Sequence, residues 1–158
     1  MLLPTTLLLA TLLTPATTRC SWPLPPPHPV VRAFTAPATP FGPGHRGVDL
    51  AAPAGTPVLA AADGTVAHAG AVAARTLVSL QHRGPLRTTY EPITPAVTAG
   101  STVRRGEVIG HLQPGHCPAA CLHWGARRGH DYVDPLRLLS SGRVRLLPTP
   151  PPSTARSP

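Results

Sequence analysis

The hydrophobic positions of this chain come in short runs, not in long periodic stretches. "VVRAF" (30–34), "GTPVLAAA" (55–62), "GTVAHAG" (64–70), "RTLVSLQH" (75–82), "LRTTYEP" (86–92), "EVIGHL" (107–112) and "CLHWGA" (121–126) each suit a strand. Glycine and proline separate them at intervals of roughly ten residues, the spacing of an all-β barrel or sandwich. The pattern therefore predicts a mostly β domain over residues 30–147. No window offers a long amphipathic helix, and "DPLRLLSS" predicts one short turn with Asp134 as its cap. Asp63, in "ADGT", predicts a tight turn.

The flanks read differently. "MLLPTTLLLATLLTPATT" is apolar but short and interrupted by Pro4, which fits an export signal over 1–19 and not a stable membrane span. No charge precedes that apolar run, and Arg19 before Cys20 disfavours a lipid-attachment site. "WPLPPPHP" (22–29) predicts an extended spacer over 20–29 that stays out of the core. The Pro-rich end, 148–158, predicts a disordered tail. Export would place the domain in a secreted or cell-envelope compartment where disulfides persist.

The 158 residues have room for one compact domain, expected to act as a monomer. Its 14 basic residues are all arginine and face only 6 acids, for a formal charge of +8 and a pI near 11.3. Such a charge favours anionic partners, wall polymers among them. Nucleic acid is excluded as the expected partner: with two Trp, two Tyr and two Phe, the chain has few platforms on which bases could stack.

His45 and Asp49 stand four apart in "GPGHRGVDLAAPAGTPV". A fully extended chain would leave them about 13 Å apart, whereas zinc needs each donor within about 2.0 to 2.2 Å, so the segment must curl, with Gly44 and Gly47 allowing it. Taken alone, the spacing fits better a loop-capping histidine and an aspartate bonded to backbone. A carboxylate between Val48 and Leu50, however, is hard to bury without a cation. His123, on a strand far along the chain, is the third donor. Two imidazoles and one carboxylate leave a fourth tetrahedral position for water, the arrangement of a catalytic zinc.

"GHRGVDLAAPAGTPVLAAADGTVAHAG", the strand with His82 and "TTYEP", then "VRRGEVIGHL", "CLHWG" and "YVDPLRLL" together resemble the LytM and lysostaphin type of zinc metallopeptidases, from about residue 43 to residue 138. The resemblance implies a small antiparallel β domain whose groove binds peptidoglycan peptides and whose zinc polarises the scissile amide. It also implies His45, Asp49 and His123 as ligands, matching the family's HxxxD motif and the second histidine of its HxH motif.

The chain departs from that family at both assisting histidines. The one that ends a YxH stretch is Pro92 here, and the one that opens HxH is Cys121. Cys121 and His123, two apart on a strand, should share a face. Cys121 is therefore in a disulfide with Cys117, or a thiolate ligand that closes the site, or a free buried thiol; Cys20 is the odd cysteine in the first case. Two side chains stand in for the missing assistance. Glu91 is a chemically adequate base, but alternation turns it away from the face of Pro92 unless Pro92 imposes a bend. His116, on the loop "PGHCPAAC", ranks above His111, while His82 reads as structural. Trp124 should face away from His123 into the core. Two functions fit: an exported zinc endopeptidase of wall peptides, or a catalytically weak or inactive zinc-holding module that binds such peptides or regulates a wall hydrolase.

Overall fold

The computed structural model describes residues 18–139, apart from 28 and 40. The apolar leader up to residue 17 and the Pro-rich tail from residue 148 lie outside the described residues.

Eleven strands and one 3-10 turn are described. The larger sheet runs β1 (Val30–Arg32), β2 (Gly47–Ala51), β10 (Cys121–Arg128), β6 (Leu86–Glu91), β5 (Arg75–Gln81), β4 (Gly64–Val72) and β8 (Thr102–Val103), with β11 (Asp131–Tyr132) paired to β10. The smaller sheet is β3 (Pro57–Leu59), β9 (Val108–Leu112) and β7 (Ile93–Pro95). Every pairing is antiparallel. The mostly β, antiparallel fold read from the sequence is the fold of the chain.

Alternation explains the layering. On β6, Leu86, Thr88 and Tyr90 point into the core, and on β10 Leu122, Trp124 and Ala126 do the same. Val58, Ile93, Ile109 and Leu112 of the smaller sheet close over them. Trp124 is fully buried, as its place beside His123 predicts. The opposite face of β6 and β10 is left for a groove.

Two polar side chains are held inside this core by complete sets of partners. His82 lies within 2.8 Å of the Asp63 carbonyl through Nδ1 and within 2.7 Å of the Thr88 hydroxyl through Nε2, and Thr88 bonds Tyr90 in turn. The Tyr90 oxygen accepts from the Ala61 amide. This is the structural role expected for His82. Burial lowers its pKa below the ordinary 6.5, because the charged imidazolium loses water it cannot replace. The unfolded chain then binds a proton that the folded chain refuses. Stability supplied here is present above pH 6.5 and is lost as pH falls below it. Thermal melts of chelator-treated protein should show a midpoint that drops on acidification, and a shallower pH dependence in His82→Gln.

The spacer expectation needs correction. Cys20 and Leu24 are core residues, 0% and 2% exposed. The Cys20 amide donates to the Leu138 carbonyl, Ser21 to Ala61, and Leu59 to Pro23, so this Pro-rich segment is tied down by backbone bonds before the first strand. Burial pushes the free Cys20 thiol up to about 11, which makes it a packing residue and not a nucleophile. At the other end, Asp134 caps the 3-10 turn Pro135–Leu138 by accepting from the Leu136 amide.

Candidate metal centre

Cross-strand register assembles the site. On β10, His123 is directly opposite Asp49 of β2 on one side and Glu91 of β6 on the other. Directly paired residues of antiparallel strands project to the same face with Cβ atoms about 4.5 to 5.5 Å apart. Three chain segments separated by long stretches of sequence thus place three functional groups in one row.

His45 joins them from just outside β2. Its backbone pairs with Thr35 through reciprocal bonds of 3.0 and 2.8 Å, and a bend at Arg46 turns the imidazole back over Asp49. The curl required by the His45–Asp49 spacing is therefore present. The neighbouring glycines serve it by occupying no space. A Cβ on Gly44 would meet the Thr35 carbonyl at 2.8 Å, and one on Gly47 would meet the Trp124 carbonyl and, at 2.7 Å, Nε2 of His123. Gly47→Ala is expected to push the His123 ring out of place, and the variant should bind metal at least tenfold more weakly in a chelator competition.

Three imidazole nitrogens converge on one carboxylate oxygen. His45 Nε2, His116 Nε2 and His123 Nδ1 lie 3.0, 3.1 and 2.8 Å from Asp49 Oδ1, and His45 Nε2 is 3.1 Å from His123 Nδ1. One ligand atom from each of the four side chains falls within 4.8 Å of all the others. Asp49 is 2% exposed and His45 5%.

The His45 tautomer tests whether a cation fits. Nδ1 of His45 is 2.8 Å from the Ala33 carbonyl, which can only accept, so Nδ1 carries the proton. A neutral His45 then turns a lone pair on Nε2 toward an oxygen that also only accepts. Two acceptors 3.0 Å apart repel unless a positive charge lies between them. A metal-ligating histidine holds its other nitrogen on a carbonyl in this way. For His123, burial lowers the pKa, against the pull of Asp49 and Glu91, and keeps its lone pair available. Nitrogen and carboxylate donors in a set of this size suit zinc.

The loop residues explain what became of one of the two missing histidines. Cys117 and Cys121 form a disulfide, so the Cys121 sulfur is neither a ligand nor a free thiol. This bond anchors the loop carrying His116, whose ring centroid stands 5.1 Å from that of His123. An imidazole thus returns beside the position that Cys121 vacates. His111 is exposed on β9 of the smaller sheet and takes no part in this cluster.

Glu91 lines the groove with His116 and His123 and is 7% exposed. Pro92 makes the bend where the chain leaves the larger sheet for β7 of the smaller one. Glu91 reaches the groove by the ordinary alternation of β6, with Tyr90 turned to the core, and not through that bend; the expectation that alternation turns it away from the site is corrected. Arg75 donates to Glu91 Oε1 at 2.8 Å, while no described residue holds Oε2. From this row the groove, about 670 Å³ in volume, runs along β6 and β10 past Thr89 and Gly125 to Arg87 and Arg127.

Residues 43–135 match the family model described as Peptidase family M23. The chain belongs to that family. It is 53% identical over 137 residues to "Uncharacterized protein Rv2891" of Mycobacterium tuberculosis, which covers 82% of this chain and 55% of that protein. The chain thus spans about half the length of that relative. It is 35% identical over 108 residues to "DD-carboxypeptidase/endopeptidase Mpg" of Neisseria meningitidis, covering 67% of this chain and 24% of that one. Among solved structures, the catalytic domain of lysostaphin from Staphylococcus simulans superposes with a TM-score of 0.61 at 25% identity, over 72% of this chain and 93% of that one. Helicobacter pylori Csd3 shares the fold at a TM-score of 0.66 and 23% identity, over 84% of this chain and 38% of that one. The LytM and lysostaphin resemblance read from the motifs is therefore correct, and the chain is a member of a peptidase family.

Proposed function

We propose that this M23 family member is an exported zinc endopeptidase that cuts amide bonds in peptidoglycan peptides. The observation that carries the reading is the convergence of His45 Nε2 and His123 Nδ1 on Asp49 Oδ1, with His45 Nδ1 held on the Ala33 carbonyl and Glu91 paired opposite His123. His45, Asp49 and His123 would hold the ion. When bound, zinc supplies Lewis acidity toward the scissile carbonyl and lowers the pKa of a water toward about 7.

The protein supplies the proton traffic. Glu91 Oε2 accepts the proton of the attacking water and returns it to the leaving amine, while Arg75 fixes the carboxylate by its other oxygen. With Asp49 committed to the ion, the Nε2–H of His116 is a donor for charge developing on the peptide oxygen. The extracytoplasmic location is part of the same reading. Its supports are the apolar leader, the Cys117–Cys121 disulfide and a 31% identity over 99 residues to "Uncharacterized lipoprotein YgeR" of Escherichia coli. Among the described residues no helix is long and apolar enough to cross a membrane.

A second reading has one observation of its own. His116 Nε2 approaches Asp49 Oδ1 to 3.1 Å, against 3.0 Å for His45, so four protein donors could close the coordination sphere. The chain would then be a zinc-holding module that grips wall peptides, or regulates a wall hydrolase, without cutting. Zinc-loaded protein incubated with purified peptidoglycan separates the two when compared with His116→Ala. The peptidase reading expects new peptide termini from wild type, and a variant with reduced turnover and nearly unchanged zinc affinity. No termini from wild type, with zinc affinity falling more than a hundredfold in the variant, would establish the closed site.

A further inference from the structure

We infer that the end of the groove remote from the metal centre is a carboxylate-binding subsite, walled by Arg87 and Arg127, that selects acidic peptides. The inference deepens the peptidase reading by naming the feature of the peptide that the groove holds.

The register lays out the groove as successive rows. Glu91 is opposite His123, Thr89 opposite Gly125, and Arg87 opposite Arg127. Thr89 continues across to Ser79 and from there to His68. At Gly125, Thr89 and Ser79 the floor is therefore small, with the candidate metal centre on one side and Arg87 and Arg127 on the other. Four residues of extended strand separate Glu91 from Arg87, about 13 Å, the length that four residues of an extended peptide cover.

Arg87 and Arg127 form a pair that the protein alone does not explain. Like charges directly opposite one another on neighbouring strands repel. Among the described residues neither has a carboxylate partner, since the groove's one acid, Glu91, is at the other end and bound to Arg75. The Nε of Arg87 is shielded from solvent with no hydrogen-bond partner, and so is Nε2 of His68, which lines the same groove. A buried donor without an acceptor is costly, and a buried guanidinium edge is most so.

An anion placed between the two guanidinium groups removes the repulsion and gives their groove-facing N–H groups an acceptor. A carboxylate suits the fork of a guanidinium. A peptide suits the rest of the trough, whose walls are strands and whose far end is a metal centre able to act on an amide. The selected ligand is thus a short peptide carrying a free carboxylate about four residues from the bond over the metal, or nearer on a long side chain.

The test is a binding measurement that does not depend on turnover. A fluorescein-labelled alanine pentapeptide with a free C-terminal carboxylate, and the same peptide ending in a carboxamide, are titrated with zinc-loaded protein and followed by anisotropy. The carboxylate form is expected to bind ten- to a hundredfold more tightly, and Arg87→Gln and Arg127→Gln each to lose most of that preference while keeping the wild-type zinc content. Equal affinity for the two peptides, or a preference that survives in the double variant, would overturn the subsite. So would a glycerol phosphate polymer that binds through Arg87 and Arg127 when the peptides show no preference, since that would assign the arginines to wall polymers. Carboxylate preference without release of termini from peptidoglycan would leave the subsite standing and remove the peptidase reading; release of termini without preference would do the reverse.

Discussion

His123→Ala should abolish release of peptide termini from peptidoglycan while leaving the protein folded. His123 is the middle member of the row Asp49, His123, Glu91, and its Nδ1 is the nitrogen nearest to Asp49 Oδ1, at 2.8 Å. Truncation removes one of three donors and leaves the Asp49 carboxylate with fewer partners in a buried place. Zinc affinity should fall by more than a hundredfold, and turnover below detection with it. The core should survive, because Leu122 and Trp124 on either side point the other way. Chelator competition and a thermal melt of the metal-free proteins separate these effects. Metal-free wild type and variant should melt within a few degrees of each other.

Glu91→Gln carries the second large effect, and its signature is different. The amide keeps the shape of the side chain and its place opposite His123 but cannot take a proton. Loss of a general base typically costs about 10² to 10⁴ in rate, so kcat should drop by that factor while zinc stoichiometry stays at the wild-type value. Arg75 is exposed while Glu91 is buried, and the amide oxygen of the variant can still accept from Arg75. A variant that loses metal instead would mark Glu91 as a ligand.

The sequence made the strands of the core legible wherever one face is buried and the other wet, as in Leu86 to Tyr90 and Leu122 to Ala126. It hid β2, since four of its five residues are buried and no alternation shows. The strands β7, β8 and β11, two or three residues each, are too short to display a period. Proline content masked the anchoring of Leu24. At the site, spacing and motif singled out His45, Asp49 and His123, while the facing of Glu91 was settled by partners across the sheet. Tyr90 goes to the core, Glu91 to the groove, and Pro92 to the bend, so local alternation holds along β6 and stops there. Which residue of β6 meets His123 is a matter of register, and register is fixed by strands distant in sequence. Arg87 and Arg127 escaped notice for the same reason, since each is an ordinary arginine until pairing sets them face to face. The disulfide was one of three readings of Cys121, and only the turn of the loop from Gly115 onward brings Cys117 within 5.7 Å of it, Cα to Cα.

The proposed chemistry requires an ion gripped by His45, Asp49 and His123. Elemental analysis of the untagged protein, purified without chelator, tests it most directly, with Asp49→Ala alongside. One zinc per wild-type chain is expected, and almost none in the variant. A wild-type protein that folds but carries no stoichiometric metal, or a variant that retains it, would show that these three side chains do not form a metal site.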